Sequence, residues 1–127
     1  MSHILDRPIW SALKTRHAAL AEGGDLARRY GPLMVPFAAA KDNSAESLQA
    51  LGRLAAPDES LIFLQADEIV LPPGHAAELT ADAVQMVAER PFAVFAEERV
   101  EPLGEADAAD MLALTMLTKP GPSHRNR

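Results

Sequence analysis

The chain has no cysteine in its 127 residues, which excludes disulfides, thiolate zinc sites and cysteine nucleophiles together. No run approaches the ~18 consecutive apolar residues that a membrane-spanning helix needs. The N-terminus opens with His3 and Asp6 in place of a cationic segment followed by an apolar one, so neither membrane insertion nor secretion is expected and the cytoplasm is the default location. Aromatic residues make up only 5% of the chain, which leaves few stacking platforms for bases. What is present is a globular composition: 48% hydrophobic residues is enough for one modest domain, or for a small domain and part of a second.

Charge is divided unevenly along the chain. Residues 1–56 hold seven Lys/Arg against five Asp/Glu, residues 57–118 hold two against thirteen, and residues 119–127 hold three against none. An acidic middle repels phosphate backbones, and the small basic patches at Arg28-Arg29 and in the tail are not interleaved with aromatics beyond Tyr30, so no nucleic-acid partner is expected.

Periodicity and punctuation predict an α/β arrangement. A helix is expected over 5–22, with Asp6 able to cap, Pro8 in the first turn, a break allowed near Thr15 and Gly23-Gly24 as its stop. Pro32 and Pro36 interrupt the apolar residues between Asp25 and Ala40, which reads as a loop or an irregular edge strand. Ser44 caps a second helix, with Glu46 in its first turn and Leu48, Leu51 and Leu54 at helical spacing until Pro57. The run Leu61-Ile62-Phe63-Leu64 has the pattern of a central strand covered on both faces. Further strands are expected at 84–88 and 99–103, separated by a connection over 89–98. A final helix is expected from about Glu105 to Thr118, with Asp107 taking free backbone donors at its start.

Four segments carry a family resemblance: Leu5-Asp6-Arg7-Pro8-Ile9-Trp10-Ser11-Ala12-Leu13, Pro36-Phe37-Ala38-Ala39-Ala40, Val84-Gln85-Met86-Val87, and Pro102-Leu103-Gly104-Glu105-Ala106-Asp107 continuing through Thr118-Lys119-Pro120-Gly121-Pro122. Together they resemble the N-terminal part of bacterial GNAT-type N-acetyltransferases in which a degenerate GNAT-like unit precedes the active one. The resemblance implies an α/β fold, a partial GNAT-like mixed sheet with flanking helices. It also implies a degenerate unit over 1–97 and the first strand and helix of a catalytic unit over 98–127. The implied family activity is acyl transfer from acetyl-CoA to an amine.

In that family acetyl-CoA is held by a Gln/Arg-x-x-Gly-x-Gly/Ala loop between a strand and a helix, whose backbone amides and helix N-terminus cradle the pyrophosphate. Arg28-Arg29-Tyr30-Gly31-Pro32-Leu33 departs from it, and Pro32 removes a donor where the phosphate needs one. Gln49-Ala50-Leu51-Gly52-Arg53-Leu54 puts its glycine inside a predicted helix. No catalytic or cofactor-binding residue is therefore assigned, and tight binding of acetyl-CoA is not expected. The resemblance further implies a truncated or frameshifted reading of a longer acetyltransferase, inactive alone.

By the same resemblance Thr118 and Lys119, after the last helix, are candidates for the acceptor side, against a simpler role as a helix C-cap with a dipole-complementing lysine. His75 and Glu78 are three apart, but Pro72-Pro73-Gly74 favours a turn and no third ligand is placed, so no metal is expected. Asp58-Glu59, Asp67-Glu68 and Glu97-Glu98 read as solvated acidic surface. His17 reads as a surface or dipole-partner residue. Ser123 and His124 lie in a tail that cannot fix a nucleophile. Trp10 and Phe37 read as packing anchors. The competing function is a non-catalytic binding or dimerisation module, in which an uncovered sheet edge or helix face recruits another copy of the chain.

Overall fold

The computed structural model describes residues 3–91 and 99–119. The chain divides into two compact units, the first ending at Ala77 and the second beginning at Glu78.

The first unit is built on a three-stranded antiparallel sheet in the order β1 (Ala21–Gly23), β2 (Ala27–Tyr30), β3 (Ala38–Ala40). Helix α1 (Pro8–Lys14) packs on one face and α2 (Ala45–Leu54) on the other. The alternation of side chains along a strand sorts them accordingly. Ala27, Ala38 and Ala40 form a buried cluster with Leu51 of α2, to which Leu54, Leu61 and Phe63 add. Tyr30 forms another with Ile9 and Leu13 of α1, to which Phe37 and Ala39 add. Alanines at both edges of the pleat let the helix backbones approach the sheet closely, so a short sheet still has two covered faces.

Several expectations are corrected. The predicted helix over 5–22 forms as α1, with Pro8 at its first position, flanked by 3₁₀ turns at Ile4–Asp6 and Ala18–Leu20, while Ala21 and Glu22 belong to β1. Thr15 ends it, its hydroxyl donating back to the Ser11 carbonyl at 2.6 Å. Asp6 does not cap α1; its carboxylate accepts from the His3 amide at 2.7 Å across the preceding 3₁₀ turn. Gly23-Gly24 turns the β1–β2 hairpin instead of stopping a helix. Gly23 has φ +118°, and a Cβ there would lie 2.4 Å from the Ala27 carbonyl oxygen.

The segment 25–40, expected as a loop or edge, supplies the central strand β2 and its neighbour β3. Pro32 and Pro36 fall in the connection between them, where a missing N–H costs no ladder bond. Conversely 61–64, expected as the central strand, lies outside β3 and makes a single parallel bridge, Ile62 to Phe37. Leu61 and Phe63 pack inward on the α2 cluster, while Ile62 and Leu64 are exposed. An unbroken apolar run of four could not distinguish those two positions.

Helix α2 matches its prediction, with Ser44 as N-cap. Its Gly52 has a packing reason: a Cβ would come within 3.1 Å of Pro72 and 3.3 Å of the His75 ring, and Pro72 is buried.

The second unit contains α3 (Ala108–Thr118), preceded by a 3₁₀ turn at Glu105–Asp107. The Asp107 carboxylate accepts from the Gly104 amide at 3.0 Å. The predicted strands at 84–88 and 99–103 do not form; these residues are irregular and exposed. Residues 92–98 of the expected connection and residues 120–127 of the tail lie outside the described residues.

Candidate functional site

The strand-to-helix junction among the named elements is β3 to α2, through Lys41-Asp42-Asn43-Ser44. This is where a strand–loop–helix phosphate cradle would be built, and neither segment weighed from sequence lies there. Arg28–Tyr30 is strand β2 itself, and 49–54 lies within α2.

Beside this turn opens a groove of about 740 Å³, bordered by Arg7, Trp10, Lys41, Asp42, Asn43 and Asp67. Arg7 organises it. One Nη donates to the Ala40 carbonyl at 3.0 Å, and the other to Asn43 Oδ1 and Asp67 Oδ2, both at 2.8 Å. Asn43 in turn donates to the Glu68 carbonyl at 3.1 Å, and the Ala66 amide donates to the Asp6 carbonyl at 2.7 Å. The guanidinium thus joins the start of α1, the end of β3 and the 65–68 segment. Trp10 is half-buried, with the Lys14 ammonium 5.5 Å from its ring centroid, a cation–π arrangement.

The turn is already supplied with an anion. The Ser44 amide donates to Asp42 Oδ1 at 3.0 Å. The Ser44 and Ser47 hydroxyls, with that amide and the nearby Lys41 charge, hold the Asp42 carboxyl down at about 2. The Ser47 amide donates to Ser44 Oγ at 3.3 Å. No glycine occurs between Gly31 and Gly52, so no part of the turn offers the bare backbone that close approach of a pyrophosphate requires. A second anion about 4 Å from Asp42 would meet repulsion of about 1–4 kcal/mol per charge pair in a surface dielectric. The residues present do not fit the phosphates of acetyl-CoA.

The other candidates are dispersed. Thr118 and Lys119 end α3: the Thr118 hydroxyl donates to the Leu114 carbonyl at 2.9 Å, and the Lys119 amide donates to the Thr115 carbonyl at 2.8 Å with Lys119 at φ +49°. His75 stands in a turn, its Nδ1 3.0 Å from the Pro73 carbonyl oxygen. Among the described residues no group of three metal-capable side chains comes together, and no helix is long and apolar enough to cross a membrane.

Glu59, expected as solvated surface, is structural. Glu59 receives both Arg29 Nη groups, at 2.6 and 2.9 Å, and Arg29 is buried. That fork raises the Arg29 pKa and lowers that of Glu59. Arg28 is also committed, donating to the carbonyls of Gly24 and Leu13. The spacing of 30 residues between Arg29 and Glu59 gave no local signal.

No protein-family model and no curated protein matches the chain. Among solved structures, it is similar to a protein of the GNAT family from Novosphingobium aromaticivorans DSM 12444, provisionally assigned as an acetyltransferase. The TM-score is 0.76 and the identity 29%, over 96% of this chain and 54% of that one. The chain has a GNAT-type fold, and it spans about half the length of the solved protein it matches.

Proposed function

We propose that this chain is the N-terminal, non-catalytic part of a GNAT-like N-acetyltransferase, whose family chemistry moves an acetyl group from acetyl-CoA to an amine. The asymmetry of the match supports partial length, since nearly all of this chain corresponds to little more than half of a GNAT-family protein; the observation that carries the non-catalytic reading is the glycine-free β3–α2 turn with its own Asp42 carboxylate. In this reading the degenerate unit extends over 1–97, beyond the compact unit that ends at Ala77, and 98–127 open a catalytic one, with Thr118 and Lys119 on the acceptor side. A cytoplasmic location agrees with the absence of cysteine. Because the chain has no cysteine, release of free coenzyme A can be followed by thiol titration without background. The full chain with acetyl-CoA and a panel of primary amines should release none, and acetyl-CoA should leave its melting temperature unchanged. Turnover above the rate of spontaneous hydrolysis would refute the non-catalytic assignment.

One observation favours a second reading, an assembly module. Met111, Leu112, Leu114, Met116 and Leu117 of α3 are all exposed, and a helix apolar around its circumference is ordinarily covered. Self-association predicts a melting temperature and sedimentation coefficient that rise with protein concentration; concentration-independent values exclude it.

A further inference from the structure

We propose that Asp42 is an internal substitute for a bound phosphate, so that the β3–α2 turn of the first unit is closed to nucleotide by its own side chain. This rests on the GNAT-like reading above only for what such a turn would otherwise hold; the closure itself rests on geometry. The chain passes from β3 into α2 through four residues. The second of them turns its carboxylate back onto the amide of the fourth, the N-cap Ser44, at 3.0 Å, and so places its charge beside the first helical donors that a phosphate oxygen would otherwise take.

Three neighbouring groups support the same arrangement. The Ser47 side chain is fully buried and accepts from Ser44 Oγ at 3.0 Å, so the Ser47 hydroxyl is not free to turn toward a ligand. The Lys41 amide is spent on the Leu26 carbonyl at 2.8 Å. Asn43 is held by Arg7 at 2.8 Å, and Arg7 in turn is neutralised by Asp67. The cation nearest the turn on the α1 side is therefore paired, and an incoming diphosphate would find a resident carboxylate already holding the Ser44 amide, with the Lys41 charge acting on that carboxylate. A cradle that had merely lost its glycines would leave its amides to water; here the Ser44 amide has acquired a covalently attached anion.

The test is a titration of the full chain with inorganic pyrophosphate and with coenzyme A, following the backbone amide resonances of Asn43 to Ser47. In the wild type these should stay in place at millimolar ligand. In Asp42→Ala the same amides should shift saturably with pyrophosphate, with affinity at least about tenfold above the wild type. That ratio corresponds to about 1.4 kcal/mol. Equal shifts in both proteins, or none in the variant, overturn the proposal. Should the variant fail to fold, the wild-type Asp42 carboxyl carbon decides: its midpoint should lie at about 2 and be indifferent to pyrophosphate, and an ordinary midpoint or a ligand-dependent one overturns it. Acetyl-CoA turnover with unmoved turn amides would instead refute the non-catalytic reading and leave this inference standing.

Discussion

The two units of this chain use similar residues to opposite effect. In the first, three short strands of mostly small residues acquire a helix on each face, and Leu13, Ala38 and Ser47 reach complete burial. In the second, α3 is richer in large apolar side chains than either helix of the first, yet none of its described residues is buried. Apolar content alone does not make a core. What the first unit has is pairing: each apolar stripe faces a sheet surface whose alternation was set by the strands beside it. The stability of the first unit should therefore depend on individual side chains, and that of the second should not.

The sharpest way to break this contrast is a pair of leucine deletions. Leu13→Ala removes a fully buried side chain between α1 and the sheet and should cost about 2–5 kcal/mol of unfolding free energy. Leu114→Ala removes one that is 61% exposed and should stay within about 0.5 kcal/mol. Denaturant unfolding measures both. Comparable losses would mean that α3 is covered in solution, as the assembly reading requires.

A second pair sharpens the account of the first unit. Glu59→Gln leaves the Arg29 guanidinium, 5% exposed, without its charge partner. The expected loss is about 2–3 kcal/mol, below the range for a fully buried pair because Glu59 keeps some contact with water. A smaller change would show that the Leu54 and Tyr30 carbonyls, which also accept from Arg29 at 3.0 and 2.9 Å, suffice to hold it. Gly52→Ala should lack the gain of about 1 kcal/mol that this change gives in an exposed helix, because the new methyl meets Pro72 and the His75 ring. A net loss of up to about 1 kcal/mol is expected. A clear gain would mean that the 72–75 segment moves aside without penalty.

How much could be read from residues alone follows the range of the interactions. Helix α2 was legible because Ser44, Glu46 and the leucine spacing are local signals, and α3 for the same reason. The order of the sheet was not legible. Pro32 and Pro36 drew attention away from Ala27–Tyr30, although prolines in a connection leave adjacent strands intact, while 61–64 looked central because four apolar residues do not report which of them finds a sheet. Propensity alone marks 84–88 and 99–103 as strands, and propensity does not report whether a neighbour pairs with them. The candidate site is hard to read from sequence for a related reason. A phosphate cradle is marked in sequence by glycines, and Lys41-Asp42-Asn43-Ser44 has none; only the placement of β3 directly before α2 makes that turn the relevant one. The available signal was Asp42 two residues before a serine N-cap, a short-range aspartate turn.

The smallest effect expected is also specific to that turn. Because the folded state holds the Asp42 carboxyl at about 2, below its ordinary value of 3.8, the unfolded chain binds its proton first as acidity rises. Its contribution to stability is therefore complete above about pH 4 and is lost as pH falls through about 2. Glu59 is shifted in the same direction by the Arg29 fork, so the acid limb of the wild-type curve contains both groups. The difference between the wild type and Asp42→Asn isolates the first. The asparagine keeps an acceptor for the Ser44 amide and removes the titration, so the two stability curves should converge near pH 2 and separate, with the wild type higher, between there and pH 4. Parallel curves across that window would mean that the carboxylate gains nothing from the turn.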